Sequence, residues 1–193
     1  MKKARSQVDA CRARHRSRGF TLLELMIGLT VLGILLGIGV PAFQGIIRQN
    51  RLAAQTNELL ATAAMARSEA VKRGATVSIC PVSTGNADEC AGDSSWSNGW
   101  LLFSDDAGDG EYDDGADTLI QRWPASTLRR MTITNEAVAA VTYRGDGSTT
   151  LGPGGDTTFT VAPTGDYCKD PDGARSVTVT TTGRVNASKR DCP

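Results

Sequence analysis

The chain has 193 residues and a formal net charge of zero, which allows one ordinary domain plus an extra element. That average hides an asymmetry: residues 1–19 hold seven Lys/Arg and one Asp, and the rest hold fourteen basic against twenty acidic side chains, a net charge of −6. An acidic body excludes a broad electrostatic footprint for nucleic acid, and the single histidine, His15, lies in the basic head. A body without histidine excludes every Ser–His or Cys–His nucleophile pair and any histidine-ligated metal.

The basic, polar head ends at Gly19. From Leu25 to Ile47 no charged residue occurs over twenty-three positions. At about 1.5 Å per residue this spans roughly 30 Å, the thickness of a bilayer core. A soluble helix of this length would show a polar face, and a secretory signal would be shorter and end at its processing site. Gly28, Gly33, Gly37 and Gly39, then Pro41, interrupt the run. Small residues and proline are tolerated where helices pack closely or lie in lipid. The seven cations before the span favour a cytoplasmic N-terminus and place the body outside the cytoplasm. One acid, Glu24, stands almost at the start of this apolar segment, where a carboxylate is costly and calls for a partner.

Beyond the span, Leu52, Leu59, Ala63, Ala66 and Ala70 recur at helical spacing, with Arg51, Asn57, Glu58 and Arg67 elsewhere on the wheel. Lys72, Arg73 and Gly74 form an end signal. The pattern predicts one helix from about Phe20 to Arg73, its first half in lipid and its second half packed on a domain. Four segments follow: a basic head over 1–19, a membrane helix over 20–47, its amphipathic continuation over 48–74, and an antiparallel β domain over 75–193.

In that domain Thr76–Cys80, Gly99–Ser104, Thr118–Trp123, Arg130–Thr134, Ala140–Arg144, Thr157–Ala162 and Ser176–Val185 are rich in Thr, Val and aromatics. Gly, Pro, Asp and Asn separate them, which predicts short antiparallel strands. The fold class is α+β. Four cysteines lie in the body, Cys80, Cys90, Cys168 and Cys192, with no CxxC pair for zinc. They suit two disulfides in an oxidising compartment. Of three connectivities, Cys80–Cys90 with Cys168–Cys192 is preferred, because both close local loops. Trp96, Trp100, Phe103 and Trp123 alternate with polar residues, as packing positions do.

The acidic stretch Asp105–Asp117 offers Asp105, Asp109, Glu111, Asp113 and Asp117 as calcium ligands around Gly110. An EF-hand frame begun at Asp105 puts Ala107 and Ala116 at ligand positions and fails, so a solvated hairpin loop is the better reading. No cofactor is expected.

The junction Arg18-Gly19-Phe20-Thr21-Leu22-Leu23-Glu24-Leu25 resembles the class III leader junction of type IV pilins and type II secretion pseudopilins. The likeness covers the basic leader, the glycine, the aromatic residue after it, the glutamate and the apolar helix with Pro41. It implies that a prepilin peptidase cuts between Gly19 and Phe20 and methylates Phe20. It implies too that Glu24 pairs with the terminal amine of a neighbouring subunit, as expected where burial penalises each charge alone. Downstream, Trp96–Trp123, Val141–Gly147 and Thr181–Asn186 resemble the GspH/FimT group, whose members prime or cap a fibre. The implied partners are the peptidase, other pilins or pseudopilins, the inner-membrane assembly platform and the bilayer.

Some FimT-like proteins bind DNA through a GRxR motif. Here Gly183, Arg184 and Val185 match, Asn186 replaces the second arginine, and Lys189 and Arg190 follow. The expected function is therefore a minor pilin or pseudopilin without catalytic activity, in the inner membrane and then in a fibre. DNA uptake through Arg184, Lys189 and Arg190 is the alternative.

Overall fold

The computed structural model describes residues 19–86, 88–94, 96–124, 131–135, 137–152, 154–165, 168 and 171–193. The basic leader before Gly19, with Cys11 and His15, lies outside the described residues, as does Arg130. The chain divides into two compact units, Met1–Phe43 and Gln44–Pro193.

In the first unit the helix α1 (Leu22–Arg73) begins. Leu22, Leu25, Ile27, Leu29, Leu32, Ile34, Leu35 and Ile38 are all at least half exposed. An 18-residue window of α1 has mean hydropathy 2.3, so the helix is long and apolar enough to cross a membrane. The one hydroxyl within this stretch, on Thr30, donates to the Ile27 carbonyl at 2.8 Å, the usual way to satisfy such a group without water.

In the second unit α1 runs on to Arg73. Leu52, Leu59, Ala63, Ala66 and Ala70 are each 3 % exposed or less, so the stripe read from the sequence is the buried face. Gly74 follows at φ 64°, and the Ala75 N–H reaches back to the Ala70 carbonyl at 3.3 Å. This closes the helix with a left-handed glycine cap.

Two four-stranded antiparallel sheets are built from β1 (Val77–Pro81), β2 (Gly99–Ser104), β3 (Thr118–Pro124), β4 (Met131–Thr134), β5 (Val141–Tyr143), β6 (Thr157–Pro163), β7 (Ala174–Val179) and β8 (Val185–Arg190). Their orders are β3-β2-β1-β5 and β4-β6-β7-β8. On the helix-facing side, Val77, Ile79, Trp100, Leu102, Val141 and Tyr143 join Ile133, Phe159, Val161, Val177 and Val179 in one core with α1. The opposite side of β1 and β2 carries a smaller core of Cys80, Val82, Leu101 and Phe103. Both faces of β2 are buried, so "GWLLF" is apolar throughout, which corrects the alternation with polar residues expected around Trp100 and Phe103. Trp96 meets the edge of Phe159 at 4.8 Å, and Trp100 stacks on Trp123 at 6.2 Å. The Trp100 indole N–H donates to Thr62 Oγ1 at 3.1 Å, so the aromatics pack internally as expected.

Both preferred disulfides are present, Cys80–Cys90 and Cys168–Cys192, with Cα–Cα distances of 5.6 and 5.5 Å. Closing loops of 10 and 24 residues restricts the unfolded chain by about 3 kcal/mol each in the chain-entropy account.

The expected single strand Ser176–Val185 is two strands. The chain turns at Thr180–Arg184, where Gly183 N–H donates to the Thr180 carbonyl and Thr180 N–H to the Arg184 carbonyl, both at 2.9 Å. Gly183 sits at φ 74°, a conformation that ends a strand.

Candidate processing and assembly site

The chain end of α1 is built by Thr21. Its carbonyl accepts the Leu25 N–H at 3.1 Å, and its Oγ1 accepts the Glu24 N–H at 3.2 Å. Thr21 is thus the N-cap and Glu24 the third helical residue, the spacing of a capping box. Gly19 and Phe20 precede the cap outside the helix, and Phe20 is 82 % exposed. A Cβ built on Gly19 would meet nothing within 4 Å.

Glu24 lies in the first turn and is exposed. The helix N-terminus favours its negative charge, yet no side chain among the described residues bonds its carboxylate. Pro41 lies within α1. The junction therefore presents an accessible peptide bond, a capped helix start and, ahead of an apolar run, one carboxylate with no side-chain partner among the described residues.

The basic residues near the C-terminus are spread along one edge. Arg184 precedes β8, while Lys189 and Arg190 end it, about 17 Å further along an extended strand. Lys189 pairs with Asp172 at 3.4 Å, and Arg190 donates to Thr160 Oγ1 at 2.9 Å. Arg184 is exposed, its backbone N–H held by Thr180 Oγ1 at 3.1 Å.

The acidic stretch is more ordered than a solvated hairpin, and Asp105 corrects that reading because it is fully buried. Its carboxylate accepts hydrogen bonds from Ser78 Oγ at 2.6 Å, Gly108 N–H at 2.5 Å and Gly110 N–H at 2.9 Å. Ser78 in turn meets Thr142 Oγ1 at 2.7 Å. Three donors to one carboxyl group offset the cost of its burial. Asp117 accepts the N–H groups of Asp106 and Asp113, at 3.0 and 2.9 Å, and Asp109 accepts that of Glu111 at 3.0 Å. These carboxylates thus fold the loop, and among the described residues no group of three or more His, Cys, Asp or Glu is placed to hold a metal. Above the loop lies an open cleft of ≈570 Å³ lined by Glu89, Cys90, Gly110, Tyr112 and Ala140 among others.

Two features escaped the sequence reading. The Thr21 cap was signalled by the Thr-x-x-Glu spacing at Thr21–Glu24. Tyr143 was not signalled: burial pushes its phenol well above the usual tyrosine range against the opposing pull of Arg67, so it stays neutral in the core.

Residues 14–40 match the prokaryotic N-terminal methylation motif. The Pilin-like protein PilA1 of Thermus thermophilus is 38 % identical over 100 residues, which are 51 % of this chain and 54 % of that protein. The Prepilin peptidase-dependent protein D of Escherichia coli is 34 % identical over 79 residues, 41 % of this chain and 47 % of the relative. The chain spans about half the length of these curated relatives. The crystal structure of the type IV minor pilin FimU of Pseudomonas aeruginosa superposes with a TM-score of 0.55 at 20 % identity, covering 72 % of this chain and 90 % of that one. That likeness gives the fold: one long N-terminal helix packed on antiparallel sheets. Residues 55–183, most of the chain, match the family described as Type II transport protein GspH, and the chain belongs to that family.

Proposed function

We propose that the chain is a minor pilin or pseudopilin that primes or caps a type IV pilus or a type II secretion pseudopilus. The observation that carries this reading is the junction itself: Gly19 and Phe20 exposed before a capped helix whose only early charge, Glu24, has no partner within the described chain. A prepilin peptidase removes the leader after Gly19 and methylates Phe20. The apolar half of α1 holds the subunit in the inner membrane, with the N-terminus cytoplasmic and the disulfide-bonded domain periplasmic. The assembly platform then moves α1 from lipid into the fibre, where Glu24 neutralises the terminal amine of a neighbour. The subunit acts by packing and catalyses nothing.

A deletion strain scored for surface pili and for exoprotein secretion tests this. Loss of pili alone places the chain in a type IV pilus, and loss of secretion alone places it in a pseudopilus. Retention of both would sink the proposal. The Gly19→Leu substitution is expected to block maturation, seen on a gel as retention of the leader, because a branched side chain replaces the open Cα of the residue before the cut. DNA uptake is the competing reading. The ion pair of Lys189 with Asp172 counts against it, since a cation already paired is less available for a phosphate contact.

A further inference from the structure

We infer that Thr21 is a positioning residue for leader removal: its cap holds the Gly19–Phe20 bond outside the helix, where a peptidase can reach it. The inference rests on the processing reading above.

The argument begins with unpaired donors. The first N–H groups of any α-helix lack carbonyl partners and are met by a cap, by water or by further helix. Thr21 supplies two acceptors at this end, Oγ1 for Glu24 N–H at 3.2 Å and its carbonyl for Leu25 N–H at 3.1 Å. Without the side-chain acceptor, the cheapest remedy is one more turn of helix on the N-terminal side. In that turn Leu22, Leu23 and Glu24 would donate to the carbonyls of Arg18, Gly19 and Phe20, following the four-residue helical step. The scissile carbonyl of Gly19 and the Phe20 carbonyl after it would then be helical acceptors, and the bond would be wrapped into the helix. The structure shows the other state, with helix starting at Leu22, and Gly19, Phe20 and Thr21 outside it. Gly19 resists the extra turn as well, being among the poorest helix formers. Cleavage concerns a bond two positions before Thr21, so the hydroxyl acts through the backbone and takes no part in the chemistry.

The test uses the full-length precursor in membranes with a prepilin peptidase, following loss of the leader with time on a gel. Thr21→Val keeps the shape of the side chain and removes the acceptor. It is expected to be cut about fivefold more slowly, the factor that a lost N-cap is worth. Thr21→Ser and Thr21→Asn keep a capping oxygen in different shapes and are expected to be cut near the wild-type rate. Amide and Cα chemical shifts of Gly19 and Phe20 in micelles should become helical in Thr21→Val alone. A Val variant cut as fast as wild type would overturn the inference. So would an Asn variant as slow as Val, which would mean that the peptidase reads the threonine directly. A wild-type precursor that is never cut would instead overturn the processing reading.

Discussion

Replacing Glu24 by alanine is expected to leave membrane insertion and leader removal intact and to lower incorporation into the fibre at least tenfold. The two outcomes separate because Glu24 plays no part in either early step. Insertion depends on the apolar run, and removing a carboxylate from it only lowers the cost of transfer. Cleavage depends on the bond before Phe20, which the Thr21 cap holds outside the helix through the Glu24 backbone N–H rather than its side chain. Assembly is different. The Glu24 carboxylate has no partner among the described residues, and a new terminal amine appears at Phe20 once the leader is gone. In an apolar fibre core each charge is penalised alone and favoured together. Glu24→Gln keeps the size and a hydrogen-bonding oxygen but not the charge. It is expected to fail nearly as badly in the sheared surface fraction; normal incorporation of Gln would show that charge pairing is not the driving interaction.

The largest expected loss of stability comes from a glycine. Gly183→Ala is expected to destabilise the globular domain by about 3–5 kcal/mol, because it combines a left-handed backbone that alanine rarely adopts with a clash. A Cβ there would stand 1.9 Å from the Gly147 carbonyl oxygen, at φ 74°. Both sides of this contact are main chain, so neither can swing away. The contact also carries structure: Thr149 N–H donates to the Thr181 carbonyl at 3.0 Å, tying the turn after β5 to the turn between β7 and β8. Thermal melting should show a drop of roughly 10 °C, given about 2–4 °C per kcal/mol at this size. Gly147→Ala makes a useful contrast. Its φ is 81°, but its built Cβ meets Arg67 Nε at 3.1 Å, the end of a flexible side chain, so a smaller loss is expected. Arg184→Ala, next to Gly183 but exposed, should change the melt by less than about 0.5 kcal/mol. Equal effects at positions 183 and 184 would mean that the turn is not held by the Gly147 contact.

These cases show what was legible in the sequence. The buried stripe Leu52–Leu59–Ala63–Ala66–Ala70 was readable because a helix repeats its environment every 3.6 residues. The helix end at Arg73 and Gly74 and the two disulfides were also readable, since capping and short loop closures are local. The junction Gly19–Glu24 was read by its likeness to a family, and its capping geometry follows from a four-residue spacing. What stayed hidden depends on residues far apart in the chain. Gly183 was taken as part of a strand because Thr180, Thr181 and Thr182 favour β structure, whereas its partner Gly147 is thirty-six positions away. Asp105 was read as one of several solvated carboxylates. Only the fold brings Ser78 under it and turns the Gly108 and Gly110 N–H groups onto it. Composition marks a loop as acidic, but it cannot say which carboxylate the loop is folded around.

The most direct test of the central claim is mass spectrometry of the chain's N-terminus in two fractions from the same cells, the inner membrane and the material sheared from the surface or pulled down with the pseudopilus. The account predicts a mature chain beginning at methylated Phe20 in both fractions, with the Glu24→Ala form present in the membrane and absent from the fibre. A chain that keeps Met1, or a mature chain confined to the membrane in wild-type cells, would contradict it.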